Sequence, residues 1–241
     1  MSVYGDNNNS ILDALRRLRG KGRAVVCIDP ATITEHELVE MHQLGARGVR
    51  VNLRTTNQQL TEDELIEKLR RCADRIRNYG WVIQVYVAMH QIPMLAKAVE
   101  MLNIVFVVDH LGSPEESAEP QDQDGYAELM DLLSRKSIWV KLSGTYRFPK
   151  LPGLDKYVRE ILRIAPTQIV WASDWPHSGG VDRNINDNRH LHQEYREVDD
   201  EAFLYRCMEW CNWDETLIKL LLVDNPRRLW QYAEVEDRPK I

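Results

Sequence analysis

The stretch VWASDWPH (170–177) is an apolar run that ends abruptly on Asp174 and His177. A strand bound for a core gains nothing from a terminal carboxylate and imidazole, so chemistry is the first explanation to weigh. A carboxylate there can take a proton from water or ligate a metal; the competing reading is a helix N-cap or a turn-forming Asp before Trp-Pro. The device recurs. VVDHLGSP (107–114) places Asp109 and His110 at the end of another apolar run. A neutral imidazole at that point can hydrogen-bond a carbonyl, bind a metal or move a proton, or it can be a satisfied structural histidine. GVRVNL (48–53) carries Arg50 inside an apolar run, where an unpaired charge is costly. Arg147 follows WVKLSG (139–144), and a guanidinium there is either a bidentate clamp for a carboxylate or a surface charge. Arg54 would add positive potential. Tyr86, in IQVYVA, can donate a hydrogen bond to a ligand or fill the interior. His177 either joins this set as a substrate contact or is satisfied by loop backbone.

Such residues converge only if the elements carrying them run side by side. Six short β-rich runs are spaced along the chain: 23–29, 48–53, 81–87, 104–109, 137–143 and 168–173. Helical periodicity fills the intervals, expected at 9–20, 34–45, 61–80, 93–102, 125–136, 154–165, 199–212 and 214–222. Thr34 with Glu37 and Thr61 with Glu64 have the spacing of capping boxes, and Gly45 and Gly80 are plausible stops. Apolar strands alternating with helices mean a parallel sheet buried on both faces. An open doubly wound sheet gathers its site at one switch point, whereas a barrel takes one residue from each of several strand ends. The capable side chains are spread over Asp29, Arg50, Asn52, Tyr86, His90, Asp109, His110, Lys141, Ser143, Asp174 and His177, and no glycine-rich phosphate loop follows the first strand. The expectation is a single α/β domain over 1–241: a (β/α)8 barrel that is incomplete, with about six parallel strands. GSPEESAEPQDQDG (112–125) reads as a mobile acidic surface loop, 178–198 as a long polar loop or lid, and EVEDRPKI as a disordered tail.

Bulk properties narrow the classes. The 241 residues are 44% hydrophobic with a formal net charge of −6. With no basic block, nucleic acid is not an expected partner. No apolar run reaches the roughly 18 residues of a membrane span, and the N-terminus lacks the pattern of a secretory signal, so a cytoplasmic protein is expected. The four cysteines (27, 72, 207, 211) include a pair four apart on one predicted helix. They are expected to be reduced thiols, the pair buried, rather than a metal site.

VVDHLGSP, WVKLSG, VWASDWPH and DNPRRLW (224–230), in this order, resemble the amidohydrolase-related barrel hydrolases; YGDNNNSILDALR (4–16) and LGARGVRVNL (44–53) resemble their 2-pyrone-4,6-dicarboxylate lactonase branch. The similarity spans essentially the whole chain. It implies that Asp174 is the base that activates water and that His110 polarises the substrate carbonyl or binds a metal. With Arg50, Arg147, Tyr86 and His177 as substrate contacts, the implied reaction is hydrolysis of a small acidic lactone or cyclic ester, with no required cofactor. Two positions depart from the pattern. Ser113 stands where the lactonases carry an arginine, removing one carboxylate contact. No His-x-His strand opens the sequence, and MSVYGDNNN matches the segment after the second family strand. Two strands are therefore expected to be missing, through a truncated start or in a barrel that covers the gap with helices or forms a homodimer across it. His190 and His192, in RHLHQE, lie in the late loop and do not replace that motif. The alternatives are a metal-dependent decarboxylase or hydrolase holding one divalent ion such as zinc on His110, His177 and Asp174, and a degenerate relative without catalysis.

Overall fold

The structure, a computed structural model, describes residues 5–54, 60–178, 192 and 194–232. Most of the late polar loop, with His190, and the tail 234–241 lie outside these residues. Strands β1 (Ala24–Val26), β2 (Ala46–Asn52), β3 (Val82–Tyr86), β4 (Phe106–Val108), β5 (Ile138–Leu142) and β6 (Ile169–Trp171) form one parallel sheet in chain order. A doubly wound sheet would reverse its order part-way. This one does not, and it curls into a half-barrel, an incomplete form of the (β/α)8 architecture.

The helices are α1 (Asn9–Leu18), α2 (Glu35–Leu44), α3 (Glu62–Ile76), α4 (Ile92–Leu102), α5 (Tyr126–Ser134), α6 (Leu154–Ile164), α7 (Asp200–Trp210), α8 (Glu215–Lys219) and α9 (Asn225–Leu229). Both expected capping boxes are formed, at Thr34–Glu37 and Thr61–Glu64. The face of α3 read from its periodicity, Leu65, Leu69, Cys72, Ala73 and Ile76, is the buried one. The last expected helix is not continuous: α8 passes through a π turn at Leu220–Asp224 into α9. The segment 112–125 is a surface loop, exposed at 115–117, 121, 122 and 124, with a 3-10 turn at Pro120–Asp122. Gly112, Ser113 and Pro114 are buried, and the Gln123 amide donates to the carbonyls of Glu115 and Ala118 at 2.8 Å each.

Alternation along the strands creates two distinct faces. Val49, Val51, Ile83, Val85, Phe106, Val108, Ile138, Val140, Leu142 and Ile169 pack outward into the main core against the helices. The opposite face has a small apolar cluster of its own at the N-terminal ends of the strands: Val82, Val107, Trp139, Val170 and Leu229, with Trp230 against it. Above this floor, the same parity places Arg50, Gln84, Asp109 and Lys141, and then Tyr86, Ser143 and the Asp174 turn.

Residues 225–232 tie the two outer strands together across the floor. On the β6 side, Asn225 Nδ2 donates to the carbonyls of Ile169 (2.7 Å) and Pro166 (2.8 Å), and Arg228 donates to the Thr167 carbonyl. On the β1 side, Arg23 donates to the carbonyls of Trp230 and Gln231 at 3.2 Å each and lies 4.2 Å above the Tyr232 ring. At the inner edge of β1, the Asn8 amide pairs with Cys27 as a peptide would, donating to its carbonyl at 2.7 Å and accepting from its N–H at 3.1 Å. Thus the gap in the barrel is bridged from within the chain at its floor. Cys72, Cys207 and Cys211 are buried free thiols and Cys27 is half-buried. Among the described residues, no helix is long and apolar enough to cross a membrane.

Candidate active site

The C-terminal ends of β2 to β6 converge as the parity of the strands requires. Arg50 Nε and Nη2 donate to Asp109 Oδ2 at 3.2 and 3.1 Å. The Tyr86 ring lies between Arg50, whose guanidinium is 5.6 Å from its centroid, and His110, which it meets edge-on at 4.8 Å. His110 Nε2 is 3.8 Å from Asp174 Oδ1. A continuous run of side-chain contacts therefore joins Arg50, Tyr86, His110 and Asp174.

The seat of each group has a local cause. His110 Nδ1 shares a hydrogen bond of 2.9 Å with the Ser143 hydroxyl, one residue beyond β5. Gly144 lets the ring sit there: at φ +65, it lacks a Cβ that would stand 2.6 Å from Nδ1. Burial is the largest influence on His110 and holds its pKa down at about 4, so the imidazole is neutral near pH 7. A Ser143 hydroxyl that donates to Nδ1 would leave the ring proton on Nε2, the nitrogen that faces Asp174.

Among the described residues, Asp174 is gripped at one oxygen. Its Oδ2 accepts from Tyr146 Oη at 2.7 Å and from Arg147 Nε at 2.8 Å, leaving Oδ1 towards His110. Burial alone would raise its pKa, but His110, Arg147 and the Tyr146 hydroxyl outweigh that and lower it. His110, Leu111, Ser113, Asp174 and His177 all have φ between +50 and +66 without being glycine. Such strain persists only where surrounding structure enforces it, and it concentrates at working sites.

Two of the expected substrate contacts are engaged by carboxylates of the protein itself. Arg147 faces Asp174 itself. His177 is buried and turns Nε2 to Asp200 at the start of α7, 3.0 Å away, with Tyr146 edge-on at 5.2 Å. Consequently His110, His177 and Asp174 do not surround a common point, and among the described residues no three His, Cys, Asp or Glu side chains are grouped to hold an ion. The donors named for zinc do not fit one. Arg54 is exposed at the rim, donating to the Ser113 carbonyl at 2.9 Å. His192 is exposed beside Glu194.

Sequence reasoning gave no part to Gln84 or Tyr146. Gln84 left a signal: it is the one polar residue in WVIQVYV and has the parity of Tyr86. Tyr146 left none beyond its adjacency to Arg147.

The model of the amidohydrolase family matches residues 1–231. The chain belongs to the amidohydrolase family. The chain is 29% identical to the 4-sulfomuconolactone hydrolase of Hydrogenophaga intermedia, over 95% of this chain and 72% of that protein. It is also 29% identical to the 2-pyrone-4,6-dicarboxylate hydrolase of Comamonas testosteroni, over 97% and 75% of the two chains. Among solved structures, one from Pseudomonas putida described as a 2-pyrone-4,6-dicarboxylic acid hydrolase superposes with a TM-score of 0.79 at 28% identity, covering 97% of this chain and 81% of that one.

Proposed function

We propose that this amidohydrolase hydrolyses a small anionic lactone or cyclic ester by direct attack of water. The observation that carries the reading is the facing pair of Asp174 Oδ1 and His110 Nε2, 3.8 Å apart and each fixed from behind by other side chains. Asp174 takes the proton of the attacking water and returns it to the departing ring oxygen as the acyl C–O bond of the lactone breaks. Neutral His110 donates from Nε2 to the carbonyl oxygen, stabilising the charge that develops there. Arg50 supplies positive potential for a substrate carboxylate, and Tyr86 shapes the wall between Arg50 and His110.

Arg147 has a double part in this scheme. In the free protein it depresses the basicity of Asp174, which suits a resting state. A substrate carboxylate competes for the same guanidinium, and drawing Arg147 away returns proton affinity to Asp174 as the substrate seats. That the two named relatives act on anionic lactones supports an acidic substrate here. We assign the reaction no cofactor, and the protein a cytoplasmic location.

The decisive experiment is hydrolysis of 2-pyrone-4,6-dicarboxylate and related lactones by the purified protein, followed by its Asp174→Asn variant. The variant should lose about 1,000-fold in kcat, the usual range for removing a general base. An Asp174→Asn protein as fast as the parent would overturn the mechanism.

A further inference from the structure

After β4 the chain passes through four successive left-handed residues: His110, Leu111, Gly112 and Ser113, with φ of +50, +56, +73 and +51. Only the glycine takes such a backbone freely. The turn presents the His110 ring to Ser143 and Asp174, so whatever keeps it left-handed also aims the imidazole. Its two ends are fixed beside the site. Asp109, just before it, is 1% exposed and accepts from Gln84 Nε2 at 2.8 and 2.9 Å, while Gln84 Oε1 accepts from Lys141 at 2.7 Å. At the far end, the Ser113 carbonyl accepts from Arg54 Nη1 at 2.9 Å. The centre is held from the helical layer. Tyr157, on α6, donates from Oη to the Leu111 carbonyl at 2.7 Å, and both residues are buried. Burial pushes the phenol well above its ordinary range, so it remains a donor near neutral pH.

A position that needed only volume would be served by phenylalanine, with no hydroxyl to satisfy. The direction of the Leu111 carbonyl is set by the torsions of the turn. Right-handed torsions would swing it away from the phenol and leave two polar groups unpaired among apolar neighbours. The hydrogen bond therefore belongs to one form of the turn and opposes the other. We propose that Tyr157 is a positioning residue for His110: its hydroxyl locks the left-handed turn at Leu111 and so aims Nε2 at the reacting carbonyl. The inference rests on the reading above in which His110 polarises that carbonyl.

Tyr157→Phe tests this, because it removes the hydroxyl and keeps the ring that fills the core. Trp210→Phe is the control, since it removes a hydrogen bond to Asp155 that ties α6 to α7 rather than to the turn. KM and kcat are measured on 2-pyrone-4,6-dicarboxylate. Tyr157→Phe should lower kcat about tenfold with KM held within about twofold, a smaller loss than the roughly 100-fold of a full ångström of misplacement. Trp210→Phe should melt earlier and keep its kcat. An unchanged kcat in Tyr157→Phe, or equal losses in the two variants, would mark a merely structural bond and overturn the proposal. If the parent protein does not hydrolyse the lactone, the proposed reaction fails by itself, and an NMR titration of the His110 imidazole decides the present inference. His110 faces the carboxylates of Asp109 and Asp174 and the guanidiniums of Arg50 and Arg147, and burial holds its midpoint at about 4. A released turn lets the ring reach water, so the midpoint should rise towards 6.5 in Tyr157→Phe and stay in place in Trp210→Phe. A midpoint unmoved by Tyr157→Phe, or moved equally by both variants, overturns the inference.

Discussion

Gly144→Ala is the smallest change that should disturb the reaction without touching a polar atom. The added Cβ would stand 2.6 Å from His110 Nδ1 and 2.9 Å from its Cγ. To regain a contact of about 3.4 Å, the ring must retreat by about 0.8 Å. Tyr86, edge-on at 4.8 Å, obstructs part of that movement. The left-handed backbone at φ +65 costs an alanine about 1 kcal/mol, and overpacking costs about 1–3 kcal/mol more. The sum, about 2–4 kcal/mol, corresponds to a melting temperature lower by roughly 5–15 °C for a domain of this size. The retreat also stretches the 2.9 Å Ser143–His110 hydrogen bond beyond its useful range, and misplacing a reacting group by this much costs about 100-fold in kcat. Thermal denaturation by circular dichroism and lactone turnover read the two effects separately. A variant that melts and turns over like the parent would refute the account of the His110 seat. One that loses stability but keeps its kcat would show that His110 does not polarise the reacting carbonyl.

Replacing buried Asp109 by Ala removes the carboxylate that half-buried Arg50 and Lys141 both approach, and should cost about 3–5 kcal/mol in urea denaturation. Acid should destabilise the protein in two stages. His110 protonates near pH 4 when folded but near its ordinary 6.5 when unfolded, so stability falls as pH drops from 6.5 to 4. Asp109, opposed by burial but held down to about 2 by Lys141, His110, Arg50 and Gln84, contributes stability above its ordinary 3.8 that is lost as pH falls towards 2. Urea midpoints between pH 7 and 3 should show the first stage in the parent and not in His110→Asn; identical slopes would contradict burial as its cause. Leu229→Ala empties part of the barrel floor and should cost about 2–5 kcal/mol by the same measurement. A thiol reagent applied to the native protein should modify Cys27 first, because burial shields Cys72, Cys207 and Cys211 and pushes their thiols up.

The strands were legible because each is a short apolar run whose neighbours in sequence are its neighbours in the sheet. The gathering of Arg50, His110 and Asp174 was legible for the same reason: consecutive parallel strands bring their C-terminal ends to one rim. Pairing across strands is absent from a one-dimensional pattern. Arg147 pointed to a ligand by its type, but the nearest carboxylate in space is Asp174, 27 positions away. Gln84 looked like an interruption of an apolar strand until Asp109 and Lys141 were seen on either side of it. The acidic segment 112–125 is the surface loop its composition indicates, but the contacts that pin it, such as Gln123 bridging the carbonyls of Glu115 and Ala118, leave no mark in composition. The π turn at Leu220–Asp224 carries no local pattern distinguishing it from an ordinary helix.

The strap formed by residues 225–232 has a consequence for biosynthesis. The ribosome delivers these residues after all six strands, yet they hold the outer strands together and supply Leu229 and Trp230 to the floor. A nascent chain that has already made Asp174 still lacks its closure, with the inner face of the sheet open to other unfinished chains.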